Sequence, residues 1–316
     1  MKLAVQIDKL INQQTREWKL ARKNYDDLAS VEKRSFQFDD FQIVAQFNPG
    51  RIHSSAAKTD RTSISERPCF LCKSNRPTEQ AGVDFQGKYE VLINPYPIFE
   101  KHLTIVGYEH VPQHFEGRLL DMLVLAEALP DFTLFYNGPK CGASAPDHFH
   151  FQAGGKNVMP VDREVTKRLE SKAEQLANLN STQVYALDEV YLRKLIVFTS
   201  TDSTELILFV ERVLGLLPKN ENDDEPMMNI LANFENGQWQ VLLFPRERQR
   251  PCQYFKEGSE QILMSPASVE MGGLAILPRR EDFEKITSAD FIDIYKQVSL
   301  NDAAFKHLKN LIKGID

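Results

Sequence analysis

Cysteine is scarce in this chain. Four residues in 316, Cys69, Cys72, Cys141 and Cys252, do not make a disulfide framework. Long apolar runs are missing too, and none could cross a bilayer. The amino-terminal stretch MKLAVQIDKLINQQ is interrupted by Asp8 and Lys9, so it lacks the unbroken apolar core of a signal peptide and reads as an amphipathic helix. Positive charge is in deficit. A net charge of −6 and a pI of 5.7 argue against a general nucleic-acid binder, which usually carries a basic face, although a local group of cations can hold a small anion on an acidic protein. These absences point to a cytoplasmic protein that uses neither membrane nor nucleic acid. In a reducing compartment, a close cysteine pair suggests metal or redox chemistry.

What is present fits a folded enzyme-sized protein. Hydrophobic residues at 42% and charged residues at 26% allow a sizeable core in one large domain or two ordinary ones. Residues 2–34 have a helical pattern. FQIVAQF (41–47), YEVLIN (89–94), HLTIVG (102–107), FTLFYNG (132–138) and HFHFQAG (148–154) read as strands, and EGRLLDMLVLAEAL (116–129) as a helix between them. That order predicts an α+β fold with antiparallel sheets and packed helices. RIHSSAAKTDRTSISERP (51–68) has loop composition, and DREVTKRLESKAEQLANL (162–179) reads as one helix capped by Asp162. MMNILANF and WQVLLFPR flank Asn236-Gly237 as a hairpin. VLLFPRER faintly echoes VLINPYP, which suggests a duplication. The expected division is a catalytic part, 1–180, and a second, degenerate half, 181–316.

Five of the seven histidines lie between positions 102 and 150. The segment Asp147-His-Phe-His-Phe-Gln152 alternates, so His148, His150 and Gln152 share one strand face while Phe149, Phe151 and Ala153 share the other. Two histidines and a glutamine suit a sheet core only with partners; the competing reading is a face open to solvent. Cys69-Phe-Leu-Cys72 is open to three readings, half a zinc site, a redox pair or coincidence. The redox reading wants the pair at a helix start after a strand, whereas here it follows a long loop. Tetrahedral zinc needs two more ligands, for which His110 and His148 are the best candidates. His102, His114 and His53 read as structural or surface residues, and Cys141 and Cys252 as small buried ones. The loop Asn137-Gly-Pro-Lys-Cys-Gly-Ala-Ser144 precedes the histidine strand. Gly138 and Gly142 there would let the backbone approach a ligand, and Lys140 and Ser144 would contact phosphate oxygens.

YEVLINPYPIFEKHLTIVGYEHVPQ followed by DHFHFQ resembles the histidine-triad and galactose-1-phosphate uridylyltransferase-like superfamily. FYNGPKCGASAPDHFHFQ is similar to diadenosine tetraphosphate phosphorylases, also called ATP adenylyltransferases. QFNPGR (46–51) and SPASVEMGGLAILPRREDFE (265–284) resemble GDP-hexose phosphorylases, and the resemblance spans roughly 40–285. It implies a histidine-triad-like fold in which His150 is the nucleophile and Gln152 holds the nucleotidyl group. It implies a structural zinc on Cys69, Cys72, His110 and His148, and places Asn94 at the ribose. Asn137, Lys140, Gly142 and Ser144 would complete the phosphate cradle, and Arg51 and Lys58 would meet the rest of a polyanionic substrate. The family's hydrolases usually end the motif with a third histidine, so Gln152 favours transfer to an acceptor.

The expected activity is a phosphorylase: a nucleoside diphosphate hexose, with GDP-hexose favoured, or a dinucleoside polyphosphate, cleaved with inorganic phosphate as acceptor. A hexose-1-phosphate uridylyltransferase is the related alternative. A non-catalytic nucleotide-binding zinc protein is the alternative of another class. A homodimer is compatible with all three.

Overall fold

The structure, a computed structural model, describes residues 2–52, 61–188 and 191–315. The amino-terminal stretch forms two helices, Leu3–Glu17 and Lys19–Leu28, broken at Trp18, whose backbone is extended. Ile7, Leu10 and Ile11 recur at helical spacing and are buried, so this pair packs as an amphipathic cover. Strands β1 (Glu32–Phe38) and β2 (Phe41–Phe47) form an antiparallel hairpin.

Five strands follow: β3 (Gly82–Phe85), β4 (Tyr89–Ile93), β5 (His102–Gly107), β6 (Phe132–Asn137) and β7 (His150–Gly155). The helix Leu119–Ala128 lies between β5 and β6. Then come β8 (Glu174–Asn178), β9 (Thr182–Leu187) and β10 (Leu195–Ser200), the helix Ser203–Gly215, and β11 (Met228–Glu235) and β12 (Gln238–Pro245). Last are β13 (Leu274–Leu277) and the helices Arg280–Lys285, Ser288–Val298 and Asp302–Lys313. Strands β3 to β12 make one ten-stranded sheet, ordered β3-β4-β5-β7-β6-β11-β12-β10-β9-β8. Each half has the same plan: three meandering strands, a helix, then a hairpin whose second strand pairs with the third. The halves meet along β6 and β11, which are antiparallel. β13 pairs in parallel with β2, completing a separate three-stranded sheet β1-β2-β13.

Strand alternation sends side chains to two cores. On one face Ile105, Phe149, Phe151, Ala153, Ile196 and Val241 are buried beneath the helices, including the carboxy-terminal one with Phe305, Leu308 and Ile312. On the other face Val197, Leu231, Leu242 and Phe244 pack with Ile43, Ala275 and Tyr295, from the small sheet and the helix Ser288–Val298. That covering layer lies over the second half and leaves a cleft over the first. Burying each of the valine, leucine, isoleucine and phenylalanine side chains among them contributes ~1.5–3 kcal/mol.

Three expectations are corrected. The helix beginning at Val161 ends at Ser171, and the following residues form β8, because pairing with β9 and ion pairs from Lys309 and Lys313 to Glu174 outweigh local helical propensity. Within the segment read as loop, Arg61–Ser65 is a short helix. Cys252 is exposed, whereas Cys141 is buried as expected. The hairpin at Asn236-Gly237 matches its prediction, with both residues at positive φ (51° and 78°), as a two-residue turn of the primed type requires. Among the described residues, no helix is long and apolar enough to cross a membrane.

Candidate active site

The cleft has a volume of about 680 Å³. Its floor is the face of the first half that the small sheet does not cover: Leu92 and Asn94 from β4 and its end, Thr104 from β5, Phe135 and Asn137 from β6, and His150 and Gln152 from β7. The opposite face of β7, with Phe149, Phe151 and Ala153, lies in the helical core. The alternation read from the sequence therefore has a physical basis: the aromatic positions are packed under helices and the polar positions line the cavity.

His150 is buried. Its Nδ1 is 2.9 Å from the backbone carbonyl of His148, so that nitrogen carries the proton and donates it, and Nε2 keeps the lone pair. Burial lowers its pKa to about 4, partly offset by the bond to the His148 carbonyl, which keeps the ring neutral at ordinary pH. The strand is held from an unexpected side. The β6–β7 ladder ends at the pair Phe135 and Gln152; beyond it the strands diverge, and the Gln113 side chain fills the gap. Gln113 Nε2 donates to the carbonyls of Asn137 (3.1 Å) and His150 (2.9 Å), and its Oε1 accepts the His150 N–H (2.8 Å). No local pattern marked Gln113, whose partners lie 24 and 37 residues away.

Gln152 Oε1 lies 3.1 Å from Nε2 of His102, a ring with 0% exposure. His102 is structural, as expected, in that its Nδ1 accepts the Ile98 N–H at 3.1 Å, and it also reaches this side chain. In the glycine loop, Asn137, Gly142 and Ser144 line the cleft. Asn137 Oδ1 accepts from Asn229 Nδ2 (3.0 Å) and the Ser268 N–H (2.8 Å), which leaves its amide nitrogen as the end available to a ligand. Gly142 has φ +103°, and a Cβ there would stand 2.4 Å from that of Ala267; it serves close packing with the second half. Lys140 does not join the cleft. Its exposed side chain turns to Asp223, with which it is paired.

Arg51 and Asn94 line the cleft, while Lys58 and His53 lie outside the described residues. Asn94 Nδ2 donates to Thr104 Oγ1 at 3.3 Å. The remaining polar wall carries no local sequence pattern that marks it. Arg67 binds the Ser144 carbonyl and Asp147 through Nη2, both at 3.2 Å, and its buried Nη1 has no partner among the described residues. Gln249, Arg250, Ser265 and Glu270 come from the second half. Glu270 is buried, and burial raises its pKa above the usual carboxylate range, opposed by backbone N–H bonds and Arg51. The segment SVEMGG carried a resemblance but offered no pattern that singled out its glutamate. Trp18 and Leu20 bring the amino-terminal helices to the same cavity.

Cys69, Cys72, His110 and His148 converge as expected, with one ligand atom from each within 4.8 Å of all the others. Cys69 Sγ lies 3.4 Å and Cys72 Sγ 3.5 Å from His148 Nδ1; Cys72 Sγ lies 3.2 Å from His110 Nδ1. A tetrahedral zinc with bonds of about 2.0–2.3 Å puts sulfur and nitrogen about 3.5 Å apart. His148 Nε2 is 2.8 Å from the Gly107 carbonyl, so its proton points away from the sulfurs and Nδ1 offers them a lone pair. These four residues can hold a metal ion. His114 stands apart, partly exposed and 3.5 Å from Asp224.

Residues 10–155 match a family model described as a domain of unknown function (DUF4922), and residues 161–315 match one described as GDPGP1-like, C-terminal domain. Galactose-1-phosphate uridylyltransferase of Clostridium acetobutylicum is 21% identical over 323 residues, covering 90% of this chain; the chain spans 64% of that protein's length. The crystal structure of yeast Ap4A phosphorylase Apa2 superposes with a TM-score of 0.60 at 18% identity, covering 90% of this chain and 98% of that one. The same yeast protein in complex with Ap4A gives 0.59 at 17% identity, with the same coverage. The chain therefore shares its fold with yeast Ap4A phosphorylase Apa2, is similar over most of its length to a galactose-1-phosphate uridylyltransferase, and carries a carboxy-terminal half that matches the GDPGP1-like family model.

Proposed function

We propose that this protein is a nucleotidyltransferase of the phosphorylase type, working through a nucleotidyl group carried on His150 and acting on a nucleoside diphosphate hexose with inorganic phosphate as acceptor. The observation that supports it most is the tautomer of His150, with Nδ1–H on a carbonyl and a lone pair on Nε2 in a polar cleft.

The lone pair of Nε2 attacks the α-phosphorus, and the bond from phosphorus to the bridging oxygen breaks. Hexose 1-phosphate leaves with that oxygen and its electrons. The imidazole becomes cationic, and the His148 carbonyl facing Nδ1–H stabilises the charge. An oxygen of inorganic phosphate then attacks the same phosphorus, the P–N bond breaks, and the nucleoside diphosphate departs with His150 neutral again. Throughout, the protein's task is to position the groups and stabilise the phosphoryl oxygens. The amide nitrogens of Gln152 and Asn137, the Ser144 hydroxyl and the unpartnered Nη1 of Arg67 are suited to that. Arg51 suits the second phosphate. Glu270 is suited to accept a sugar hydroxyl, and it lies in the half that matches the GDPGP1-like model; this favours a hexose leaving group, with GDP-hexose the leading substrate.

Zinc is the metal that two thiols and two imidazoles fit best. Bound to Cys69, Cys72, His110 and His148, it would act as a structural tie. Since His148 also presents the carbonyl that fixes His150, the cluster would hold the nucleophile's ring indirectly.

The test uses nucleoside diphosphate hexoses labelled at the α-phosphorus. After a quench in base, acid-labile label should remain on the protein. His150→Ala should lose it, and turnover should fall on the order of 10⁴-fold or more. Normal turnover in that variant would refute the proposal. Pairing GDP-hexoses, UDP-hexoses and dinucleoside polyphosphates with phosphate or hexose 1-phosphate separates a phosphorylase from a hexose-1-phosphate uridylyltransferase. A protein that binds nucleotides but yields neither label nor product in any combination would be the non-catalytic alternative.

A further inference from the structure

We infer that His102 is a positioning residue: it sets which end of the Gln152 amide faces the phosphoryl group. The inference rests on the proposal that His150 carries the nucleotidyl group.

The backbone N–H of Ile98 points at His102 Nδ1, 3.1 Å away. Nδ1 must therefore hold a lone pair, and in a neutral ring the single proton sits on Nε2. Burial, with Arg51 as the neighbouring cation, keeps the ring neutral. Nε2–H faces Gln152 Oε1 at 3.1 Å. The glutamine carbonyl is thus occupied from behind, and its NH₂ turns to the cleft that His150 shares. Without such a partner a glutamine amide can present either end. Its oxygen would repel a phosphoryl oxygen, whereas its nitrogen donates to one, more strongly as charge develops in the transition state.

The surroundings leave the imidazole little room to tilt. Phe99 meets it edge-on at 5.2 Å between ring centres, and Phe135 lies at 6.1 Å. Phe99 in turn occupies the space over Gly154, where a Cβ would stand 2.6 Å from its ring. His102 pairs with Gly154, and Gln152 with Thr104, so the two side chains are diagonal neighbours across β5 and β7, within reach of long side chains. Asn137 repeats the arrangement: Asn229 and Ser268 occupy its carbonyl.

The test is a double-mutant cycle with His102→Leu and Gln152→Leu, read as the rate of nucleotidyl transfer to the protein and as kcat and KM. His102→Leu should lower kcat about 10- to 100-fold with KM little changed, and His102→Gln, whose amide nitrogen can donate to Gln152, should recover most of that. With Gln152→Leu already present, His102→Leu should add almost nothing. An equal fold-loss with and without Gln152 would overturn the inference. Nitrogen NMR of the wild-type ring is a readout independent of activity: the proton should be on Nε2, and finding it on Nδ1 would overturn the inference even if His102→Leu does not fold. His150→Ala measured alongside keeps the two ideas apart. Activity retained there sinks the nucleophile, whereas an additive cycle with an inactive His150→Ala sinks only the role of His102.

Discussion

A histidine with 0% exposure beside an arginine answers acid through stability. Burial and Arg51 depress His102 to about 3, from an ordinary value of 6.5. Between those values the unfolded chain takes up a proton that the native ring refuses, so stability is full above about 6.5 and declines as pH falls. From pH 7.5 to pH 5 this one group should cost about 2 kcal/mol. Denaturant unfolding at both pH values should show that loss shrinking by about this amount in His102→Gln relative to wild type. Equal losses in the two proteins would mean that the ring is not held neutral. The sequence made the alternation of His148, His150 and Gln152 legible, because a strand period of two shows in any run of residues. It could not show that Lys140 turns to Asp223, 83 residues on, or that Gln113 clamps the strand of His150. Those partners are set by the topology.

At the level of elements, the group of two cysteines and two histidines joins three pieces of chain: the Cys69–Cys72 segment, the turn after β5 that carries His110, and the residue pair leading into β7. The first has little regular structure, and its neighbours Leu71, Leu92, Val106 and Ala145 form only a small apolar group with Cys69. A structural metal there would supply much of what the packing does not. Purified protein should contain about one zinc per chain, and Cys69→Ser should lose it. Chelation should lower the melting temperature of wild type and leave Cys69→Ser unchanged. Zinc retained by the variant would rule out this ligand set. The cysteine pair was legible from spacing alone. The histidine partners needed the expectation that His110 follows a strand end, which the structure bears out. The helix read over 162–179 shows the limit of local pattern: Glu174 and Gln175 suit a helix, yet the edge of the sheet takes them as a strand.

Across the whole molecule, the first half supplies the floor of the cleft, with His150, and the second closes it. Arg246 shows how tightly they are joined. It is buried in the second half, donates to Asn229 Oδ1, and also binds the carbonyls of Arg248, Gln249 and Pro266 (3.0–3.2 Å). Asn229 in turn holds Asn137 and the Cys141 carbonyl. One guanidinium thus ties together the wall carrying Gln249 and Arg250, the segment entering Glu270, and the glycine loop of the other half. At the seam Gly142 meets Ala267, and this contact allows a test of whether the halves must be in register for turnover. Gly142→Ala adds a methyl where Ala267 already stands, in a backbone region that L residues rarely adopt, and should cost about 1–3 kcal/mol of stability and much of the activity. Ala267→Gly in the same chain removes the opposing methyl but not the backbone strain, so it should restore part of both. Gly87 is the control: it also has positive φ, +66°, but a Cβ there would meet nothing within 4 Å. Gly87→Ala should cost about 1–2 kcal/mol from the backbone alone and leave turnover at the wild-type level. If Gly142→Ala turned over as well as Gly87→Ala does, the cleft would tolerate a shifted seam, and the second half would be a cover for the first rather than part of its catalytic geometry.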